Sequence, residues 1–278
     1  MADKPPAGFD PAIGSFYERT PEESRLQQGP FQLEEVRTRE LIERHAPPPP
    51  AAVLDIGGAA GAYAFWMAER GYTVHLLDAA PRLVDEARRR NASAKRPLAS
   101  CRVGDARQLP FADASAALVL LLGPLYHLVE ANDRQRALRE AARALQPGGV
   151  LIAAGISRYA SALDGLSRNL LGDTRFASIV ERDVRDGQHR NTTERIDYFT
   201  TAYFHAPDDL RAEAEHVGLA VRGVYGVEGP GWILSDFDER WTNPDQRAAL
   251  VHVARLLEAE PSVIGGSAHL IVVASKTS

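Results

Sequence analysis

From Ala51 onward, short apolar runs alternate with stretches whose apolar residues recur every three to four positions, the pattern of strand–helix–strand units on a parallel sheet. The runs predict strands at Ala52–Ile56, Thr73–Leu77, Ser100–Val103, Ala116–Leu122 and Val150–Gly155. Between them the periodicity predicts helices over Gly61–Arg70, Pro81–Arg90 and Asp133–Leu145, the second opening on a proline, whose fixed φ suits a first helical turn. The rhythm breaks at Ser157. Ser157–His205 is polar and aromatic, after which Asp208–Val217 reads as a helix, and strands at Leu219–Val227 and His269–Ala274 flank another helix at Asp245–Glu258. Upstream, Glu34–His45 spaces Val36, Leu41 and Ile42 helically and is separated from Ala51 by Pro47–Pro50, a stiff spacer. The expected fold is α/β: a doubly wound, seven-stranded, mostly parallel sheet with helices on both faces. To it are added an N-terminal helical cap (1–50) and a lid-like insertion (158–206) that divides the core domain into 51–157 and 207–278.

Composition narrows the function. With 45% hydrophobic and 25% charged residues the 278-residue chain has the make-up of a folded soluble domain. A net charge of -5 provides no field to hold a polyanion, so neither nucleic acid nor an acidic membrane surface is expected as a partner. The single cysteine, Cys101, excludes an internal disulfide and any cysteine-rich metal site. Met1–Asp10 has no apolar stretch of the kind a secretory leader needs, and Ala114–Val129, the longest apolar run, is broken by Gly123, Pro124 and His127. A cytoplasmic location is the default expectation. No metal is expected either, because His189, His205 and His216 lack ligand spacing; Gly155-Ile-Ser157-Arg-Tyr159 lacks the last glycine of a serine-nucleophile elbow.

The informative segment is Val53-Leu-Asp-Ile-Gly-Gly-Ala-Ala-Gly61, an apolar strand that ends in an acid, turns through glycines and opens a helix. Such a turn presents backbone N–H groups to a ligand. The dinucleotide spacing Gly-x-Gly-x-x-Gly, counted from Gly57, meets Ala59 and Ala62 and fails twice. The spacing acid-x-Gly-x-Gly-x-Gly is met by Asp55, Gly57 and Gly61, with Ala59 in the middle position and Gly58 inside the turn. This resembles the first motif of class I S-adenosylmethionine-dependent methyltransferases of Rossmann-like fold. Asp78 follows 23 residues after Asp55, Gly104-Asp105-Ala106 follows the third strand, and Gln146-Pro-Gly-Gly149 precedes the fifth, all in the family's order. The resemblance covers roughly Ala51–Ile156. It implies S-adenosylmethionine as cofactor, Asp78 at the ribose hydroxyls, Asp105 and Ala106 at the adenine, and Asp55 at the turn and the cofactor's amine. The cofactor's carboxylate calls for a cation, and Arg37 is the candidate, against the alternative of an ordinary surface arginine.

After the fourth strand comes Leu122-Gly-Pro-Leu-Tyr126-His127. The family places cofactor- and substrate-facing residues there, so Leu122 is a cofactor candidate and Tyr126 and His127 are catalytic and substrate candidates, His127 as general base. The alternative for His127 is a structural histidine starting a helix. In the insertion, His189, Tyr198, Tyr203 and His205 mix aromatic faces with polar tips as a lid over a small-molecule acceptor would; the same alternation also fits an extra strand. The cap is expected to cover its own site or that of a second copy in a homodimer. The expected reaction is in-line methyl transfer to an O, N, S or C nucleophile. A non-catalytic module binding the same cofactor and an NAD(P)-dependent oxidoreductase are the competing readings.

Overall fold

The structure, a computed structural model, describes residues 3–277. In chain order the elements are α1 (Pro11–Arg19), a 3-10 turn at Glu22–Gln27, α2 (Phe31–His45), β1 (Ala52–Ile56), α3 (Ala62–Glu69), β2 (Thr73–Asp78), α4 (Pro81–Ser93), β3 (Ser100–Val103), β4 (Ala116–Leu121), α5 (Pro124–His127), α6 (Ala131–Ala144) and β5 (Leu145–Ser157). Then come α7 (Ala160–Ser167), α8 (Thr174–Asp186), β6 (Gln188–His189), β7 (Ala202–His205), α9 (Pro207–His216), β8 (Leu219–Gly226), α10 (Phe237–Thr242), α11 (Pro244–Leu257) and β9 (His269–Lys276).

Five strands run parallel in the order β3-β2-β1-β4-β5. β9 then pairs antiparallel with β5 and with β8, completing the seven-stranded core. Alternate residues of the strands feed two apolar layers, as the period of two requires. Leu54, Ile56, Val119, Leu121, Leu151 and Val272 meet α6 and α9 on one face; Val53, Leu76, Leu118, Leu120, Ile152 and Val273 meet α2, α3 and α4 on the other. Because α2 places Leu41 and Ile42 in that second layer, the N-terminal segment is packed on the sheet itself.

Two further strands come from the insertion. β7 pairs parallel with the last residues of β5, Ile156 with Phe204 and Ser157 with His205, and β6 pairs antiparallel with β7. β9 occupies the other edge of β5 at Ile156, so β7 extends the β4 side beyond the end of β4. The polar–aromatic alternation here is therefore sheet, and it carries the insertion over the carboxyl ends of the parallel strands.

Chain order reverses between β1 and β4, and an open α/β sheet leaves a crevice at the carboxyl ends of the strands at such a switch. β9 runs the opposite way, so its first residue, His269, arrives at this same edge in register with Ile156. No described helix is long and apolar enough to cross a membrane.

Candidate active site

A cavity of about 520 Å³ opens at the switch point. Its floor is the turn after β1, where Gly57 has φ +74° and a Cβ would sit 2.4 Å from the Pro124 ring. A Cβ on Gly58 would sit 2.6 Å from the Asp55 carboxylate. Only glycine allows Pro124 and Asp55 to close so tightly on this backbone. Ala59, at the position where the family motif has glycine, takes φ +48° and is held there by its N–H, which donates to Asp78 Oδ2 at 2.8 Å. A left-handed alanine costs about 1 kcal/mol. Ala59→Gly is expected to leave ligand affinity unchanged and to raise the melting temperature by roughly 2–4 °C at most, read in a thermal melt.

Asp55 is 1% exposed, and neither carboxylate oxygen has a hydrogen-bond partner among the described residues. Burial, reinforced by the nearby Asp78 charge and only partly offset by the Ala64 N–H, which lies close without reaching good hydrogen-bond geometry, pushes its carboxyl up to about 7. Asp78 ends β2 and accepts one N–H on each oxygen, from Ala59 and Ala80, both at 2.8 Å. Burial outweighs these bonds and moves it up to about 6. Each oxygen keeps a lone pair for a ligand hydroxyl.

Asp105, Ala106 and Leu122 also line the cavity. Arg107 engages both Asp105 oxygens at 2.7–3.0 Å and reaches Asp133 at 2.6 Å, so that end of the cavity carries an ion-paired cluster.

Tyr126 and His127 line the cavity as well, but His127 is fully engaged. Its Nδ1 faces the Thr201 carbonyl at 3.4 Å, an acceptor only, which places the proton on Nδ1. Its Nε2 accepts the Tyr17 hydroxyl at 2.7 Å. Burial lowers this imidazole to about 4, partly offset by the Thr201 carbonyl, so it is neutral and weakly basic. Instead of waiting for a substrate proton, His127 ties the N-terminal strap (α1 and the 3-10 turn) to the insertion.

Six other sequence candidates lie elsewhere. Arg37 is fully buried and forks onto Glu40 and Glu258, stapling α2 to the end of α11. The arginines of the N-terminal segment that do line the cavity are Arg25 and Arg39. Gly61 shapes the turn, capping α3 at φ +86° with Phe65 where a Cβ would go, and does not face the cavity. His189 is buried between Asp183 (2.8 Å) and the Tyr198 carbonyl (2.9 Å). Tyr198 packs on Phe176 and donates its hydroxyl to Asp173 at 2.9 Å. Tyr203 lies under the Arg134 guanidinium, 3.7 Å from the ring centre. His205 packs against Gly155 and bonds Glu213 at 3.3 Å. In a strand only alternate residues face one side: Tyr203 and His205 of β7 turn toward α6, α9 and β5, while His189 and Tyr198 pack inside the insertion. The insertion's lining residues are Arg190 and Thr201.

Residues without a sequence signal complete the walls: Phe9 just before α1, Ile13, Tyr17, Arg25 and Leu26 from the strap, Glu34 from α2, Tyr63 from α3 and His269 from β9. Arg25 forks onto Glu34 at 2.6 and 3.0 Å and reaches Glu22 at 2.9 Å.

A family profile described as "Methyltransferase domain" matches residues 54–153, the span from the β1 turn through β5. Residues 54–153 thus carry a methyltransferase domain of the class I S-adenosylmethionine-dependent type. Among curated proteins, this methyltransferase chain is 33% identical over 121 residues to Methyltransferase GfsG of Streptomyces halstedii, covering 43% of this chain and 42% of that protein. It is 28% identical over 151 residues to Demethylmenaquinone methyltransferase of Mycolicibacterium paratuberculosis, covering 54% and 55%. The chain thus spans about half the length of the curated relatives it matches. An S-adenosylmethionine-dependent methyltransferase structure from Methanosarcina mazei shares the fold, with TM-score 0.58, 15% identity and coverage of 85% of this chain and 97% of that one.

The methyltransferase cofactor is S-adenosylmethionine. The residues fit it: a buried carboxylate without a partner, Asp55, suits a ligand bearing a sulfonium and an ammonium, and Asp78 suits vicinal hydroxyls. A dianionic pyrophosphate would meet Asp55 and Asp78 at the turn, which speaks against a dinucleotide.

Proposed function

We propose that this chain transfers the methyl group of S-adenosylmethionine to a small, partly apolar acceptor. The observation that carries this reading is that Asp55, Asp78 and the Gly57–Ala59 turn line one cavity together with the aromatic side chains Tyr17, Tyr63 and Tyr126. Asp55, Asp78 and the turn would hold the cofactor, and the aromatic walls would hold the acceptor. S-adenosylmethionine supplies a methyl group already activated by its sulfonium. The protein's own work is to align the acceptor, exclude water and dispose of any proton the acceptor must lose. The relative from Mycolicibacterium paratuberculosis is named for demethylmenaquinone, and the aromatic lining supports an acceptor of comparable apolar character here.

Asp55 gives the reading a pH signature. A carboxyl held near 7 when folded and near 4 when unfolded binds more protons in the folded state across that window. Asp55's own contribution to stability without ligand is therefore full below about pH 4 and is lost as pH rises through 7. Cation binding runs the opposite way, because it needs the ionised carboxylate. Calorimetry should show S-adenosylmethionine binding roughly 50-fold more tightly at pH 7 than at pH 5, with the gradient reduced in Asp55→Asn. NADH binding in place of S-adenosylmethionine would overturn the reading. S-adenosylhomocysteine release with candidate acceptors then separates a transferase from a module that only binds the cofactor.

A further inference from the structure

We infer that His269, positioned by Glu228, is the general base of this site, and that its substrate is a phenolic hydroxyl. The inference rests on the methyltransferase reading above and adds the base and the acceptor class to it.

The geometry is that of a carboxylate-oriented imidazole. His269 Nδ1 lies 2.6 Å from Glu228 Oε1, and the His269 backbone N–H donates to Glu228 Oε2 at 3.0 Å. Ser267 Oγ donates to the same Oε2 at 2.6 Å and accepts the Glu228 N–H at 2.8 Å. Glu228 is thus buried with every oxygen used, and whenever the ring is neutral it fixes the proton on Nδ1 and leaves Nε2 as the acceptor. Nε2 makes no hydrogen bond among the described residues and is not sealed in, and the ring lines the cavity. This contrasts with His127, whose two nitrogens are both taken.

The surrounding charges favour a proton on this ring. Glu34 of α2 lies 3.7 Å from Nδ1, Glu228 is in contact, and Arg25 of the 3-10 turn opposes them through its fork on Glu34. Burial lowers this histidine, but the two carboxylates outweigh burial and Arg25, leaving it above its ordinary value. With Nε2 free to accept and open to the cavity, this imidazole can take the proton of a phenol, whose hydroxyl titrates near 10, far more readily than that of an aliphatic alcohol. The Tyr17, Tyr63 and Tyr126 rings give a flat aromatic acceptor its walls.

In the step, the acceptor O–H bond breaks as its proton passes to Nε2. The oxygen lone pair forms the new carbon–oxygen bond with the donor methyl, and the methyl–sulfur bond breaks with its pair left on sulfur. The imidazolium then returns its proton to solvent.

The test uses the full chain, S-adenosylhomocysteine and 4-nitrophenol, whose phenolate is read by absorbance. Calorimetry with S-adenosylhomocysteine comes first, and failure to bind overturns the cofactor reading itself, independently of His269. On the complex at about pH 6, bound 4-nitrophenol is expected as phenolate where the free probe is protonated. His269→Asn and Glu228→Gln should each lower bound phenolate about tenfold, with S-adenosylhomocysteine affinity unchanged, which also certifies folding. Nitrogen-15 NMR should show His269 titrating at lower pH in Glu228→Gln. A probe that does not bind overturns the phenolic class. A probe that stays neutral, or stays ionised in His269→Asn, overturns the base, and an unmoved His269 titration overturns the role of Glu228.

Discussion

Asp78→Asn is expected to weaken S-adenosylmethionine binding about 10- to 100-fold near pH 7.5, as read by calorimetry. A hydrogen bond to a charged acceptor is worth about 1.5–3 kcal/mol, and each 1.4 kcal/mol is a factor of ten. The wild-type carboxyl, displaced up to about 6, is ionised at that pH, so the substitution removes a charge that is present. The fold should feel less of it. Asparagine keeps one oxygen for the Ala59 or Ala80 N–H, while its amide group opposes the other donor and loosens the turn. Affinity is therefore expected to fall far more than the melting temperature. Unchanged affinity would remove Asp78 from the cofactor site.

Arg37→Ala should do the reverse, lowering stability by about 3 kcal/mol, or roughly 10 °C in melting temperature, with cofactor affinity unchanged in the folded protein. Removing one member of a buried ion pair leaves its partner's charge uncompensated, which sets the upper range at about 5 kcal/mol. The lower figure applies because Glu258 retains Arg44 and Glu40 retains Arg255. Arg37→Met, which refills the volume, should recover part of the loss. A thermal melt beside a calorimetric titration checks both, and weaker binding at unchanged melting temperature would restore a direct role at the cofactor.

These two residues also show what was legible in the sequence. Asp78 follows a motif whose parts lie within one strand–turn–helix unit, so spacing along the chain is spacing in space. The strands of the parallel core were readable for the same reason: period and flanking turns are local. Arg37 was misplaced because its partner, Glu258, stands 221 residues away and nothing near α2 announces it. The aromatic insertion deceived in another way. Tyr198, Tyr203, His189 and His205 have the right chemistry for a pocket, but Tyr198 and His189 face the insertion's own interior while Tyr203 and His205 face α6, α9 and β5, and strand phase cannot be read from two short strands of mixed composition. His269 left no trace either, since it opens an apolar strand and meets Glu228 only because β8 and β9 end at the same edge.

The strap has a kinetic meaning. Tyr17 joins His127, Arg82 holds the Tyr17 and Thr20 carbonyls with bonds of 2.7–3.1 Å, and Arg25 forks onto Glu34, so a wall of the cavity belongs to a segment anchored through side chains and not by sheet pairing. Such contacts open locally at small cost compared with unfolding the sheet. Residence times of cofactor and product would then follow how often this wall lifts, while their equilibrium affinities follow the rigid turn beneath it.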